Sequence, residues 1–291
     1  MKRLSILFLA LVMLLTCAGC GGNDNKKEEP AQAPAAEQKS DGDKVGALMP
    51  IGLDEEGYKR WTKSVAEVEG QTAYTAPRTV VFFDSMNAMI MALQSKQIDR
   101  FATSNKVGTY IVNHNDDLKL IDNNFKPILG YSIGMLEKDA AQIEEINTAI
   151  KAMKDDGTLE RLVKENIIDI GNAEPAATPM PAIDGAPTLK VAVTGDMPAM
   201  DFVTSDGKPA GFNVAFLSEL SKRINKNIEL IEVDAGARGA ALSSGQVDAL
   251  FWVIGTYDQD GNALPYPLDT LKGFAVSTPY LMDSRVGVTL K

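Results

Sequence analysis

The residue types that do chemistry are sparse and unevenly placed in this 291-residue chain. Both cysteines, Cys17 and Cys20, stand near its start, and the one histidine is His114. That set cannot build a zinc site or a Cys–His nucleophile, which need several such side chains converging in the fold. No glycine-rich phosphate loop is present. His114 sits in VNHNDD, where exposure is the plainer expectation. The methionines of SMNAMIMAL fall at helical spacing and read as core filling. No metal or cofactor is expected.

The cysteines point instead to modification. MKR is followed by an apolar run from Leu4 to Thr16. That run is too short to cross a bilayer, and the basic start and the small residues after it read as a secretory leader. A cysteine directly after Ala18-Gly19 is the pattern that bacterial lipoproteins use for cleavage and lipidation. Cys20 fits it better than Cys17, which follows Leu15-Thr16. An ordinary leader with incidental cysteines is the alternative. No cysteine lies beyond residue 20, so lipidation is the favoured reading and the mature fold has no disulfide. The expected location is extracytoplasmic, in the periplasm or at the cell surface, with an N-terminal lipid anchor in a bacterial membrane. Residues 21–43, GGNDNKKEEPAQAPAAEQKSDGD, have almost nothing to bury and read as a disordered tether. The formal charge is −10, and loss of Lys2 and Arg3 with the leader takes it to −12. A chain this acidic, with no basic stripe, is not expected to bind nucleic acid.

What positions the remaining polar residues is a pair of similar halves. ALQSKQID at 92–99 returns as ALSSGQVD at 241–248. In both, Ala-Leu ends a helix and Ile/Val-Asp starts a buried strand, so Asp99 and Asp248 read as structural caps. Around these joints strand and helix alternate. In the first half KVGALMP, RTVVFF, IDRFAT, LKLI and ILGYSIGML read as strands. DEEGYKRWTKSVAEVEG reads as an exposed helix. A second helix carries the methionines behind an Asp84 or Ser85 cap, and a third starts at Ser104 or Asn105. Two more close the half, divided at Gly157, with Thr158 as a cap. Residues 171–188, with four prolines, read as a stiff linker. The second half offers strands in LKVAVTG, MDFVT, IELIEV, VDALFWVI, GFAVSTPY and RVGVTLK, and an amphipathic helix in FNVAFLSELSKRINK. Alternation in both halves argues for an α/β fold in two lobes with parallel-rich sheets flanked by helices.

The stretch LKVAVTGDMPAMDFVTSDGKPAGFNVAFLSELSKRI, followed by ALSSGQVDALFW and GFAVSTPY, resembles the first lobe of family 3 extracellular solute-binding proteins. KVGALMPIG, FFDSMNAMIMALQSKQIDRFATSN and YSIGML with INTAIKAMKDDGTLERLVKENI resemble the rest of the same family, in swapped order. The resemblance implies a type II periplasmic-binding-protein-like fold, circularly permuted. Its parts are 1–20 leader, 21–43 tether, 44–130 lobe II-like, 131–170 a crossover strand and helices packing on lobe I, 171–188 linker, and 189–291 lobe I-like. Such a rewiring is expected to keep one passage between lobes, near residues 125–138, and so a looser hinge. A swapped oligomer is the rival account.

The resemblance also implies a cleft that takes a small polar solute, amino-acid-like or another organic acid, and an ABC permease as partner. Several positions of the family's amino-acid clamp are changed. The loop aromatic is replaced by Met200, with Phe202 after it. A second aromatic position reads Ala235, the usual carboxylate-binding arginine is missing from GTYDQDGNALPYPLD, and the ammonium-binding aspartate position reads Ser104, after Thr103. The candidate ligand contacts are therefore Asp196, Met200, Phe202, Arg238, Trp252, Met49, Gly52, Thr103 and Ser104. Each has a plainer alternative: Arg238 as a surface arginine, Trp252 as core, Gly52 as a turn glycine, Asp196 as a turn cap. A dehydratase on this scaffold, with Asp196 or Asp84 as general acid, and a scaffold with a degenerate site are the competing functions.

Overall fold

The computed structural model describes residues 43–52, 54, 56–57, 59, 78–122, 126–264 and 268–291. The leader with Cys17 and Cys20, nearly all of the tether and most of the helix expected at 54–70 lie outside the described residues.

Two sheets of the same plan organise the chain. Strands β1 (Asp43–Leu48), β2 (Arg78–Phe83), β3 (Arg100–Ser104) and β4 (Leu118–Ile121) alternate with helices α1 (Met86–Gln94) and α2 (Asn105–Asn113). Next come β5 (Ile128–Leu136), α3 (Ala140–Asp155) and α4 (Thr158–Val163). After the linker follow β6 (Thr188–Val193), a three-stranded antiparallel ribbon of β7 (Asp196–Met197), β8 (Asp201–Val203) and β9 (Pro209–Ala210), then α5 (Phe212–Ile224), β10 (Asn227–Glu232) and α6 (Arg238–Ser243). The last strands are β11 (Ala249–Tyr257), β12 (Phe274–Val276), β13 (Leu281–Asp283) and β14 (Arg285–Leu290).

The first sheet has the order β2-β1-β3-β14-β4 and the second β10-β6-β11-β5-β12, with β13 also on β5. In each sheet the first three strands run parallel, and the fourth is antiparallel to the third. Following the resemblance, the first sheet with its helices is labelled lobe II and the second lobe I. The antiparallel fourth strand of each lobe comes from the other half of the chain: β14 enters lobe II, and β5 enters lobe I. The chain thus passes between the sheets twice, from β4 to β5 and from β13 to β14. A single passage near residues 125–138 is what the sequence suggests. The second arises because LMD forms β13 on β5 before Ser284 turns the chain into β14. Two connections tie the lobes, so the looser hinge does not follow.

Local capping explains several boundaries. The Ser85 hydroxyl accepts a hydrogen bond from the Ala88 amide (3.1 Å), which makes Ser85, not Asp84, the cap of α1. Ser104 caps α2 by accepting from the Val107 amide (3.3 Å). Thr158 does not cap α4; its amide donates to the Asp156 carboxylate (3.0 Å), behind Gly157 in the left-handed region. The core of lobe I is aromatic: Tyr280 lies 4.6 Å from Phe216 and 4.7 Å from Phe251, ring centre to ring centre. Helix α3 buries Ile143, Ile146, Ile150 and Met153 and packs on α5 and β5. Burial of each such side chain contributes about 2 kcal/mol. The Pro-rich linker is docked on this lobe. Asn227 ties it down, accepting from the Ile183 amide and donating to the Ile183 and Ala186 carbonyls.

Candidate functional site

A cavity of about 70 Å³ lies between the lobes. Lobe II contributes Met49, Met86, Thr103, Ser104 and Arg285; lobe I contributes Tyr131, Arg238, Trp252 and Asp269. Its back wall is set by an irregularity in β11. The register of β11 on β5 shifts between Leu250 and Val253, and Trp252 adopts φ +59°, a left-handed conformation that bulky residues rarely take. The shift lays the indole against Tyr131, with ring centres 3.8 Å apart and planes 25° apart. It also turns two strand carbonyls, of Phe251 and Trp252, toward the Arg238 Nη1 (3.4 and 3.2 Å). Arg238 Nε donates to the Ala235 carbonyl (3.2 Å). The guanidinium is only 3% exposed, and among the described residues no carboxylate stands within ion-pair distance of it.

Asp269, also buried, faces the same space. Its Oδ1 accepts from the Ile51 amide (2.5 Å) and its Oδ2 from the Ile254 amide (2.8 Å), so one carboxylate spans both lobes. Burial raises its pKa, and the positive charge of Arg238 and the two amides oppose that rise. The Thr270 amide donates back to the Ile51 carbonyl (2.7 Å). Gly52 follows at φ +70°, and a Cβ there would fall on the Thr270 carbonyl oxygen. Its glycine thus serves a close backbone-to-backbone approach across the seam.

Other contacts lengthen this seam. Tyr131 is buried at the seam, and burial drives its pKa up. The Ala235 amide donates to the Asp84 carbonyl (2.9 Å). Lys106 pairs with Asp283 (3.0 Å), and the Asn105 amide donates to the Ser284 carbonyl (2.8 Å). Asp196 of lobe I accepts from the Asn87 amide (3.1 Å) in the first turn of α1 in lobe II. Burial raises the pKa of Asp196 despite those first-turn amides, and the charges of Glu232 and Asp234 push it further up.

Of the residues singled out in the sequence, the structure brings Met49, Thr103, Ser104, Arg238 and Trp252 to one cavity. Four others lie off its lining. Asp196 is a cap at the seam, and Gly52 is a contact glycine. Met200 is fully buried, as an apolar side chain in a tight loop would be. Phe202 lies on β8 of the small ribbon, paired with Asp196 and Ala210. Tyr131, Asp269 and Arg285 were missed. Tyr131 stands out only as the one polar-tipped aromatic in ILGYSIGML, while Asp269 in PLDTLKG carries no local signal. His114 is exposed, stacked on Tyr110 at 4.0 Å. Among the described residues no cluster of His, Cys, Asp or Glu could hold a metal, and no helix is long and apolar enough to cross a membrane.

Residues 189–259 match the family described as bacterial extracellular solute-binding proteins, family 3. Similar solved structures include the alkanesulfonate-binding protein SsuA from Xanthomonas axonopodis pv. citri, with 14% identity, 88% of this chain and 67% of that chain covered, and TM-score 0.38. Another is the ligand-binding component of an ABC-type import system from Staphylococcus aureus (12% identity, 85% and 65% covered, TM-score 0.38). A third is the GluR0 ligand-binding core (11% identity, 87% and 86% covered, TM-score 0.37). The chain spans about two thirds of the length of the first two. No curated protein matches it.

Proposed function

We propose that this chain is a family 3 solute-binding protein that captures a small polar solute between its lobes and delivers it to an ABC importer, working outside the cytoplasm on a lipid anchor at Cys20. One observation carries the reading. Arg238 is buried, lines the interlobe cavity and has no carboxylate partner among the described residues, in a chain whose residues 189–259 match the family. A guanidinium taken out of water without an ion pair is costly, and a bound anionic group would complete its environment. Solute held between two lobes favours their closed arrangement, and closure is what a membrane partner can read.

The equivalent strand orders of the two sheets support the permuted arrangement as part of this proposal. The family's usual termini would be joined by the docked linker, and new ends would lie at β1 and β14, both in lobe II. The dehydratase reading draws less support. Of its two candidate acids, neither Asp196 nor Asp84 is on the cavity lining, and Asp196 serves as a helix cap.

The test is a thermal-shift screen against amino acids, small peptides, organic acids and polyamines. A ligand present at a hundred times its dissociation constant adds about 2.7 kcal/mol to the stability, a clear rise in melting temperature. Silence across the whole panel, from a protein that melts cooperatively, overturns the reading.

A further inference from the structure

We propose that the cavity selects a compact organic monoanion without an ammonium group, held at its oxyanion end by Arg238. This rests on the solute-capture reading above and narrows it. The charges on the lining are two arginines, Arg238 and Arg285, against one carboxylate, Asp269. Arg238 donates to protein carbonyls through Nε and Nη1, and Nη2 has no protein partner among the described residues. A guanidinium edge presents paired donors that match a carboxylate or sulfonate better than any neutral group.

The same lining offers an ammonium no carboxylate free of protein partners, and the Thr103 hydroxyl is a neutral acceptor that does not offset its charge. Both oxygens of Asp269 already accept main-chain amides, from Ile51 and Ile254. The Ser104 hydroxyl accepts the Val107 amide. Asp196 lies off the lining and accepts the Asn87 amide. An α-amino acid would therefore carry its positive end toward the buried Arg238 guanidinium with no free carboxylate to meet it. Apart from Thr103 and Ser104 the rest of the lining is apolar, with the stacked Tyr131 and Trp252 joined by Met49, Met86 and Met197. The volume, about 70 Å³, is room for about five waters, so the ligand is short.

The experiment titrates the full chain in detergent with matched pairs: propionate against alanine and ethanesulfonate against taurine, with putrescine as the cation. Melting temperature and tryptophan emission are the readouts, since Trp252 lines the cavity. The expected result is binding of the deaminated acids with a preference on the order of a hundredfold over their amino partners, the penalty of an unpaired buried charge. Equal or tighter binding of the amino compounds overturns this selectivity and leaves solute capture standing. No binding by any compound overturns capture and the selectivity together. Arg238→Met is expected to abolish acid binding. Arg238→Lys, which keeps the charge and loses the fork, is expected to weaken it by about tenfold. An unchanged acid affinity in either variant that melts cooperatively overturns the role of Arg238.

Discussion

The joint at residues 92–99 in lobe II and the joint at 241–248 in lobe I can be laid over one another bond for bond. Asp99 donates its amide to the Lys44 carbonyl and accepts the Lys44 amide on its carboxylate; Asp248 does the same with Lys190. The amides of Gln97 and Ile98 both point to the Ala92 carbonyl, and those of Gln246 and Val247 to the Ala241 carbonyl. Lys96 at φ +61° and Gly245 at φ +76° make the same left-handed turn. The register continues into the strands, where Arg100 sits beside Val45 as Ala249 sits beside Val191.

Four residues past each aspartate stand Thr103 and Trp252, and both line the cavity. Here the lobes part. In lobe II the chain ends its strand at Ser104, whose hydroxyl starts a helix. In lobe I the strand bulges, inverts at Trp252 and runs on to Tyr257. The framework is common to both lobes, and the site is made where one of them departs from it. The departure is what aims two carbonyls at Arg238 and lays an indole on Tyr131.

This comparison can be broken at several points. The largest effect is expected at Trp252→Ala, which removes a buried indole from the core and from the stack with Tyr131. A loss of about 3 kcal/mol is expected in urea unfolding, while Thr103→Ala at the equivalent position costs under about 1 kcal/mol. Similar losses at the two sites would mean that the indole is not the anchor of lobe I.

Next comes a titration confined to lobe I. Burial pushes the Asp201 pKa up to about 6, against hydrogen bonds from Asn213, Thr194 and Gly195. The folded protein therefore holds that proton more tightly than the unfolded chain, whose aspartates titrate near about 4. The group's contribution to stability is greatest in acid, falls as the pH rises through about 4 to 6, and is level above that. Asp201→Asn should remove this pH dependence, so the stability difference between wild type and variant should change by about 2 kcal/mol between pH 4 and pH 7. Parallel profiles for the two proteins would count against it.

At the turn itself, opposite signs are expected at matching positions. Gly245→Ala puts a Cβ into a left-handed residue and costs about 1 kcal/mol, whereas Lys96→Gly relieves one and gains about 0.5 kcal/mol. Smallest is the contrast between Asp99→Ala and Asp248→Ala. Each loses a carboxylate bond to a strand amide, about 1 kcal/mol, and the two losses should agree within about 0.5 kcal/mol if the joints are equivalent.

The parts of this molecule that were legible in its sequence are those that act over a few residues. The octet at 92–99 and 241–248 announces its turn because the Ala, the Ser and the Asp all bond within the joint or to the adjacent strand. Ser85 and Ser104 announce their helices in the same way. Asp269 was invisible because its partner, Ile51, lies 218 residues away. Trp252 could be read as pocket or as core, and it is both, because a left-handed tryptophan inside a strand is not something a pattern of residue types suggests. The second passage between lobes was missed because β13 is three residues long and runs into β14 with no glycine or proline to mark the turn.

One consequence follows from the place of β14. It is the last of the described strands, yet it lies inside the lobe II sheet, between β3 and β4, and Thr289 pairs with Lys119, 170 residues earlier in the chain. During synthesis β4 has no sheet partner among the described residues until β14 has left the ribosome. Lobe I spans β5 to β13 and can assemble before that moment, whereas lobe II begins first and is completed last.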